Sequence, residues 1–194
     1  MTELKIALTG KMRSGKSTVE KYLVDKYLMS AFAFGTRLKE DFHRDNPEVP
    51  RVPKPVTGYQ TYGQEKRRTV GSDIWINKCF ADIEKHRSIA RNYNIVNSEA
   101  EFMPLVTDLR QPNEYDRLRE EGYIIIRISA PLDVRMKRAK QKGDDSTAAN
   151  FEAETETHVD WFKVDFEINN LGSVEDLHHA VDRIMGYLGY EAVS

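Results

Sequence analysis

Eight consecutive residues near the start of the chain, Gly10-Lys11-Met12-Arg13-Ser14-Gly15-Lys16-Ser17, have the types and spacing needed to hold a polyphosphate. The pattern is Gly, four free positions, Gly, Lys, then Ser or Thr. Gly10 and Gly15 allow the backbone to wrap an anion closely, because a Cβ would obstruct it. The loop's N–H groups and the positive end of the following helix are expected to face the β-phosphate. Lys16 is expected to span the β- and γ-phosphates, and the Ser17 hydroxyl to ligate magnesium. Average residue frequencies give a match in a chain of this length about one time in a hundred. The alternative is a glycine-rich turn that only caps a helix.

The chemistry requires a strand before the loop and a helix after it. Leu4 to Leu8 reads as that strand. Ser17 to Tyr27 reads as the helix, with Val19, Tyr22, Leu23 and Tyr27 on one face. The same alternation continues. Strands are expected at 31–34, 104–107, 123–129 and 166–168, and helices at 36–45, 72–93, 113–121, 132–142 and 173–186. Asp108 ends the third strand. Pro47, Pro50, Pro53 and Pro55 mark 46–56 as a loop. Ser173 with Asp176 three residues later opens the last helix as a capping-box variant. Strands alternating with helices predict an α/β fold with a mostly parallel sheet.

Composition narrows the class. The 194 residues suit one domain with a small insertion, with enough chain to bury a core without disulfides or a structural metal. Lys plus Arg number 29 and Asp plus Glu 31, a net charge of -2, so neither a nucleic-acid coat nor a basic membrane binder is expected. The single cysteine, Cys79, excludes an intrachain disulfide and a Cys-based zinc cluster. No apolar run approaches membrane-span length, and no signal-peptide pattern opens the chain. A cytoplasmic location is expected, and a homodimer is left open.

The charge is unevenly distributed. Basic residues gather between Arg37 and Arg68 and again in Arg135, Lys137, Arg138, Lys140 and Lys142. Two phosphorylated substrates brought together would need such cations. Arg135 and Arg138, three apart, share a helix face, while Lys137, Lys140 and Lys142 read as a solvated face. Asp144, Asp145, Glu152, Glu154, Glu156 and Asp160 follow without an intervening Lys or Arg. That stretch reads either as a lid that closes over a nucleotide or as an ordinary exposed loop. The only Asn-Lys pair, Asn77-Lys78, lacks the Asp expected of a guanine-reading segment two residues later, because Phe80 stands there.

These pieces together resemble the phosphate-loop nucleoside monophosphate kinase superfamily, and most closely the phage-type deoxynucleoside monophosphate kinases. The resemblance runs in order through the loop, then Phe32 to Glu40, Tyr62-Gly63-Gln64-Glu65-Lys66-Arg67-Arg68, Asp73 to Ile76, Thr107-Asp108-Leu109-Arg110-Gln111-Pro112-Asn113-Glu114, the Arg135/Arg138 helix, and Asn169 to Ser173. It implies a three-layer fold with a central parallel sheet of about five strands. The core would be 1–35 and 95–194, with a helical acceptor-binding insertion at about 36–94 and a lid at about 135–160. It implies transfer of the ATP γ-phosphoryl group to a nucleoside 5′-monophosphate, with magnesium. The nucleotide would be held by Gly10, Lys11, Arg13, Ser14, Gly15, Lys16, Ser17 and Thr18, and the metal by Ser17 and Asp108. Lys16, Asp108, Arg110, Arg135 and Arg138 would serve the transfer. Arg37, Lys39, Gln64, Arg67, Arg68, Trp75 and Arg110 would meet the acceptor, although a helix-borne Trp75 also reads as core. The family often has Asp-Pro near Phe34-Gly35 and Phe in place of Gln111, so the base accepted stays open. Dephospho-CoA kinase and a nucleotide-dependent switch are the alternatives.

Overall fold

The structure, a computed structural model, describes residues 3–97, 101–141 and 158–193. It divides into a sheet unit, Met1–Ala31 with Phe102–Ser194, and a helical unit, Phe32–Glu101. The sheet has five strands: β1 (Ile6–Thr9), β2 (Ser30–Phe32), β3 (Pro104–Leu109), β4 (Ile124–Ser129) and β5 (Phe166–Asn169). Their order is β2-β3-β1-β4-β5, and the pairings of β1 with β3 and β4, and of β4 with β5, are parallel.

β1 lies at the centre, and Ile6, Ala7, Leu8 and Thr9 are all fully buried. A strand covered on both faces reads as a continuous apolar run, as this one does. On one face Ile6 and Leu8 join Leu105, Ile126, Ile128 and Ile168 beneath α1 (Lys16–Tyr27) and the last helix, Val174–Tyr187. α1 contributes Val19, Leu23 and Tyr27 at i, i+4, i+8; the last helix contributes Leu177, Val181, Ile184 and Met185. Each fully buried Leu or Ile contributes about 1.5–3 kcal/mol. The capping box appears as expected: the Asp176 N–H donates to Ser173 Oγ at 3.1 Å, and the Ser173 N–H donates to Asp176 Oδ2 at 2.9 Å.

The helical unit contains α2 (Phe34–Asp45), α3 (Val56–Thr69) and α4 (Ile74–Asn97). The sequence pattern predicts no helix over α3. Gly58 and Gly63 lower its helix propensity and it has no clear apolar stripe. Packing explains both glycines. A Cβ at Gly58 would come within 2.8 Å of the Phe42 ring, and one at Gly63 within 2.6 Å of Leu38 Cδ1. The helix survives because its missing side chains admit those of α2. α4 buries Trp75, Ile76, Cys79, Phe80 and Ile83 along one stripe.

Among the described residues the remaining helices are α5 (Pro112–Glu120), α6 (Leu132–Gln141) and α7 (Val174–Tyr187), with a 3-10 turn at His158–Trp161. α6 covers most of the predicted basic helix. Lys142 and the acidic residues from Asp144 to Glu156 lie outside the described residues, so of the expected lid only 135–141 and 158–160 are described. Among the described residues, no helix is long and apolar enough to cross a membrane.

Candidate phosphate-binding site

The loop from Gly10 to Gly15 leaves the carboxyl end of the central strand and runs into α1. The strand order reverses beside it: β1 connects through α1 toward β2, whereas β3 crosses through α5 to β4 on the other side. Crevices of this kind, outside the carboxyl ends of parallel strands, are where open α/β sheets bind ligands.

Both loop glycines are required by geometry. Gly10 has φ +145°, and a Cβ there would lie 2.2 Å from the Ile128 carbonyl oxygen. Gly15 has φ +116°, and its Cβ would lie 2.3 Å from Asn170 Nδ2. Arg13 also adopts a positive φ, 62°. Such a run of unusual dihedrals is expected where backbone N–H groups must converge on an anion. Ser14 is fully buried, and its Oγ has no hydrogen-bond partner, a polar atom awaiting an acceptor or donor inside the loop. Lys16 opens α1, with its ammonium donating to the Lys11 carbonyl at 3.1 Å and to the Gly10 carbonyl. Ser17 follows, exposed at the helix start, with Thr18 half-buried behind it. The cradle, the buried hydroxyl and the ammonium fit a polyphosphate.

Asp108 lies next to this end of the sheet. The β1–β3 register runs Ala7↔Val106 and then Thr9↔Leu109. Two residues of β3, Thr107 and Asp108, therefore oppose Leu8 alone. This is a bulge, a device that re-aims a side chain where a strand ends near a site. Thr9 Oγ1 secures the junction by donating to the Leu109 carbonyl at 3.0 Å. Arg110 follows immediately, half-buried. The buried Glu114 carboxylate reaches back to accept from the Arg110 and Gln111 N–H groups, both at 2.9 Å. Glu114 thus fixes the turn that presents Asp108 and Arg110. Among the described residues, no three His, Cys, Asp or Glu side chains gather as a metal cage. Magnesium habitually takes one or two protein ligands and completes its shell with phosphates and water, which suits Ser17 and Asp108.

Arg135 and Arg138 hold the loop itself. Arg135 is 5% exposed; its Nε donates to the Ala130 carbonyl at 3.1 Å and its Nη1 to the Met12 carbonyl at 3.3 Å. Arg138 donates from Nη1 to the Ser14 carbonyl at 3.3 Å and from Nη2 to the Asn170 carbonyl at 3.1 Å. Asn170, buried after β5, adds a 2.8 Å bond from Nδ2 to the same Ser14 carbonyl. Lys11 is paired with Asp160 at 2.6 Å. Arg127 donates from Nη2 to the carbonyls of Val159, Asp160 and Phe162, which pins the 3-10 turn to β4. No spacing in the sequence announces Asn170, Arg127 or Asp160 in these roles, because their partners are 32 to 156 residues away.

The acceptor candidates of the helical unit form their own charge network. Arg37 grips Asp82 through Nε and Nη2 and reaches Glu40 from Nη1 at 2.6 Å. The guanidinium holds the Asp82 carboxyl below the usual carboxylate range. Two of its five N–H groups remain for a ligand. Lys39, Gln64 and Arg68 are exposed, and Arg67 is half-buried. Asp41, 6% exposed, takes Lys78 and Arg44, and Asp45 takes Lys66 at 3.6 Å, so part of the basic cluster is internally neutralised. Trp75 is a core residue. It is 1% exposed, and its indole N–H donates to the Gly63 carbonyl at 3.3 Å, which leaves no face for an acceptor base.

The sequence matches no protein-family model and no curated protein. The fold is shared with solved structures. A tunicamycin resistance protein from Deinococcus radiodurans is 14% identical over 99% of both chains, with a TM-score of 0.57. A shikimate kinase from Bacteroides thetaiotaomicron is 17% identical over 96% of this chain and 99% of its own, with a TM-score of 0.56. A dephospho-CoA kinase from Campylobacter jejuni is 14% identical over 97% of this chain and 98% of its own, with a TM-score of 0.50. The chain therefore shares its α/β fold with these proteins, a five-stranded sheet packed against helices.

Proposed function

We propose that this chain is a phosphotransferase that moves the γ-phosphoryl group of ATP to a nucleoside 5′-monophosphate, yielding two diphosphates. The observation that carries the ATP half is the Gly10–Ser17 cradle, with its two glycines that tolerate no Cβ and the buried, unpartnered Ser14 hydroxyl. The kinase fold supports the reaction class. The acceptor half rests on the resemblance of the Asp108–Glu114 segment and on the cations of the helical unit, Arg37, Lys39, Arg67 and Arg68, with Gln64 beside them and Arg110 after β3.

In this reading the loop N–H groups hold the β-phosphate, and Lys16 leaves the Gly10 and Lys11 carbonyls to span the β- and γ-phosphates. Ser17 and Asp108 hold magnesium, which neutralises charge on the phosphate oxygens when bound. Lys16 and Arg110 offset the remaining charge. Transfer is in-line and direct, and positioning with electrostatics carries it, so no strong general base is needed. The partner is a mononucleotide, and neither nucleic acid nor membrane enters the reading.

The test is a panel of ribo- and deoxynucleoside monophosphates, with dephospho-CoA included, supplied with ATP and magnesium and read as diphosphate formation. Turnover of a mononucleotide is expected. Phosphorylation of dephospho-CoA alone would replace the acceptor, and ATP hydrolysis with no acceptor product would replace the reaction with a switch.

A further inference from the structure

The outward face of the loop is as specific as the inward one. A trans peptide points its C=O and the following N–H in opposite directions. An external donor that captures a loop carbonyl therefore aims the next N–H away from that donor. Ser14 is the clearest case. Its carbonyl takes Asn170 Nδ2 at 2.8 Å and Arg138 Nη1 at 3.3 Å, and Arg138 Nη2 closes the group by binding the Asn170 carbonyl at 3.1 Å. The next N–H belongs to Gly15, at φ +116°. Asn170 also lies where a Gly15 Cβ would be, 2.3 Å away, so the glycine is required by this contact as well as by any anion. A buried side-chain amide making such a bond is held firmly, because neither partner has water as an alternative.

From this we infer that Asn170, braced by Arg138, is a positioning residue that sets the direction of the Gly15 N–H and thereby the affinity of the loop for polyphosphate. The inference rests on the proposal that the loop binds ATP. It adds Asn170, which lies 156 residues from the loop, and gives Arg138 a place behind the loop, distinct from contact with a transferring group.

Asn170→Asp tests it with little change in shape. The carboxylate cannot donate to the Ser14 carbonyl and is repelled by it. Asn170→Ala serves as a second variant if that one is poorly folded. Ser173→Ala is the structural control, since it removes the cap of α7 without touching the loop. ATP and inorganic pyrophosphate affinities are measured by calorimetry, and the Gly15 amide is followed by two-dimensional NMR. Loss of one oriented hydrogen bond predicts affinity about three- to tenfold weaker in the Asn170 variants. The Gly15 amide resonance should be displaced before ligand is added, with a smaller further shift on binding pyrophosphate. Ser173→Ala should lower the melting temperature and leave affinity and resonance unchanged. Wild-type affinity with an unmoved Gly15 resonance in both Asn170 variants overturns the inference while the ATP reading stands. Absence of ATP and pyrophosphate binding by the unmodified protein overturns that reading and takes the inference with it.

Discussion

The demand for glycine at position 10 can be tested against a second glycine with the same backbone freedom and none of the crowding. Gly10 (φ +145°) and Gly122 (φ +76°) both lie where L side chains are strained, but a Cβ at Gly122 meets nothing within 4 Å. Gly122→Ala should therefore cost only backbone strain, about 1–2 kcal/mol. At Gly10 the new Cβ would lie 2.2 Å from the Ile128 carbonyl oxygen, which belongs to a strand at the middle of the sheet and cannot swing aside. An ordinary C···O contact is about 3.3–3.6 Å, so loop and strand must separate by about 1 Å. Backbone strain of about 1–3 kcal/mol and overpacking of about 1–3 kcal/mol together give about 2–6 kcal/mol. Urea unfolding followed by circular dichroism would read this as a midpoint lowered by about 1–3 M, against about 0.5–1 M for Gly122→Ala, for a slope near 2 kcal/mol/M. Nucleotide binding should be lost in Gly10→Ala and retained in Gly122→Ala. Equal midpoints for the two variants, or wild-type nucleotide affinity in Gly10→Ala, would refute the claim that the loop is pressed against β4.

Further outcomes follow from the same geometry. Lys16→Ala should reduce phosphoryl transfer at least about a thousandfold with an unchanged circular dichroism spectrum, and normal turnover would end the kinase reading. Glu114→Gln removes a buried charged acceptor of two backbone N–H groups and should cost about 1.5–3 kcal/mol in urea unfolding; no loss would show that the turn after β3 does not depend on it. The Asp82 carboxyl is held low by Arg37, so its stabilisation is present above the ordinary carboxylate value of about 3.9 and fades as pH falls below it. Because Arg37 is partly exposed, the effect is about 0.2–1 kcal/mol, and Asp82→Asn should flatten the acid limb of the unfolding midpoint measured between pH 6 and pH 3. Acrylamide should quench Trp161, 78% exposed, and spare Trp75; uniform quenching would contradict the packing of α4.

Much of the sheet unit is legible in the residues. The central strand announces itself by its apolar residues, α1 by its stripe and α7 by its cap, because each signal is local. α3 is not legible, since what holds it is the fit of two glycines against Phe42 and Leu38, a property of a packed pair. Trp75 illustrates the same limit. The sequence leaves it between an acceptor contact and the core, and its burial with a bond to the Gly63 carbonyl makes it core.

The groups proposed to meet phosphate are legible in the sequence alone. Eight contiguous residues contain the glycines, ammonium and hydroxyl, and short-range order suffices to place them between a strand and a helix. Tertiary structure decided what stands behind them. Arg135 and Arg138 have the charge to meet a phosphate, but in the fold their guanidiniums meet the carbonyls of Met12 and Ser14, and Asn170 arrives from the far end of the chain to share the second. Those contacts depend on β1, β4 and β5 lying side by side. Charge and spacing state which groups are available. The sheet's strand order determines which backbone atoms they can reach.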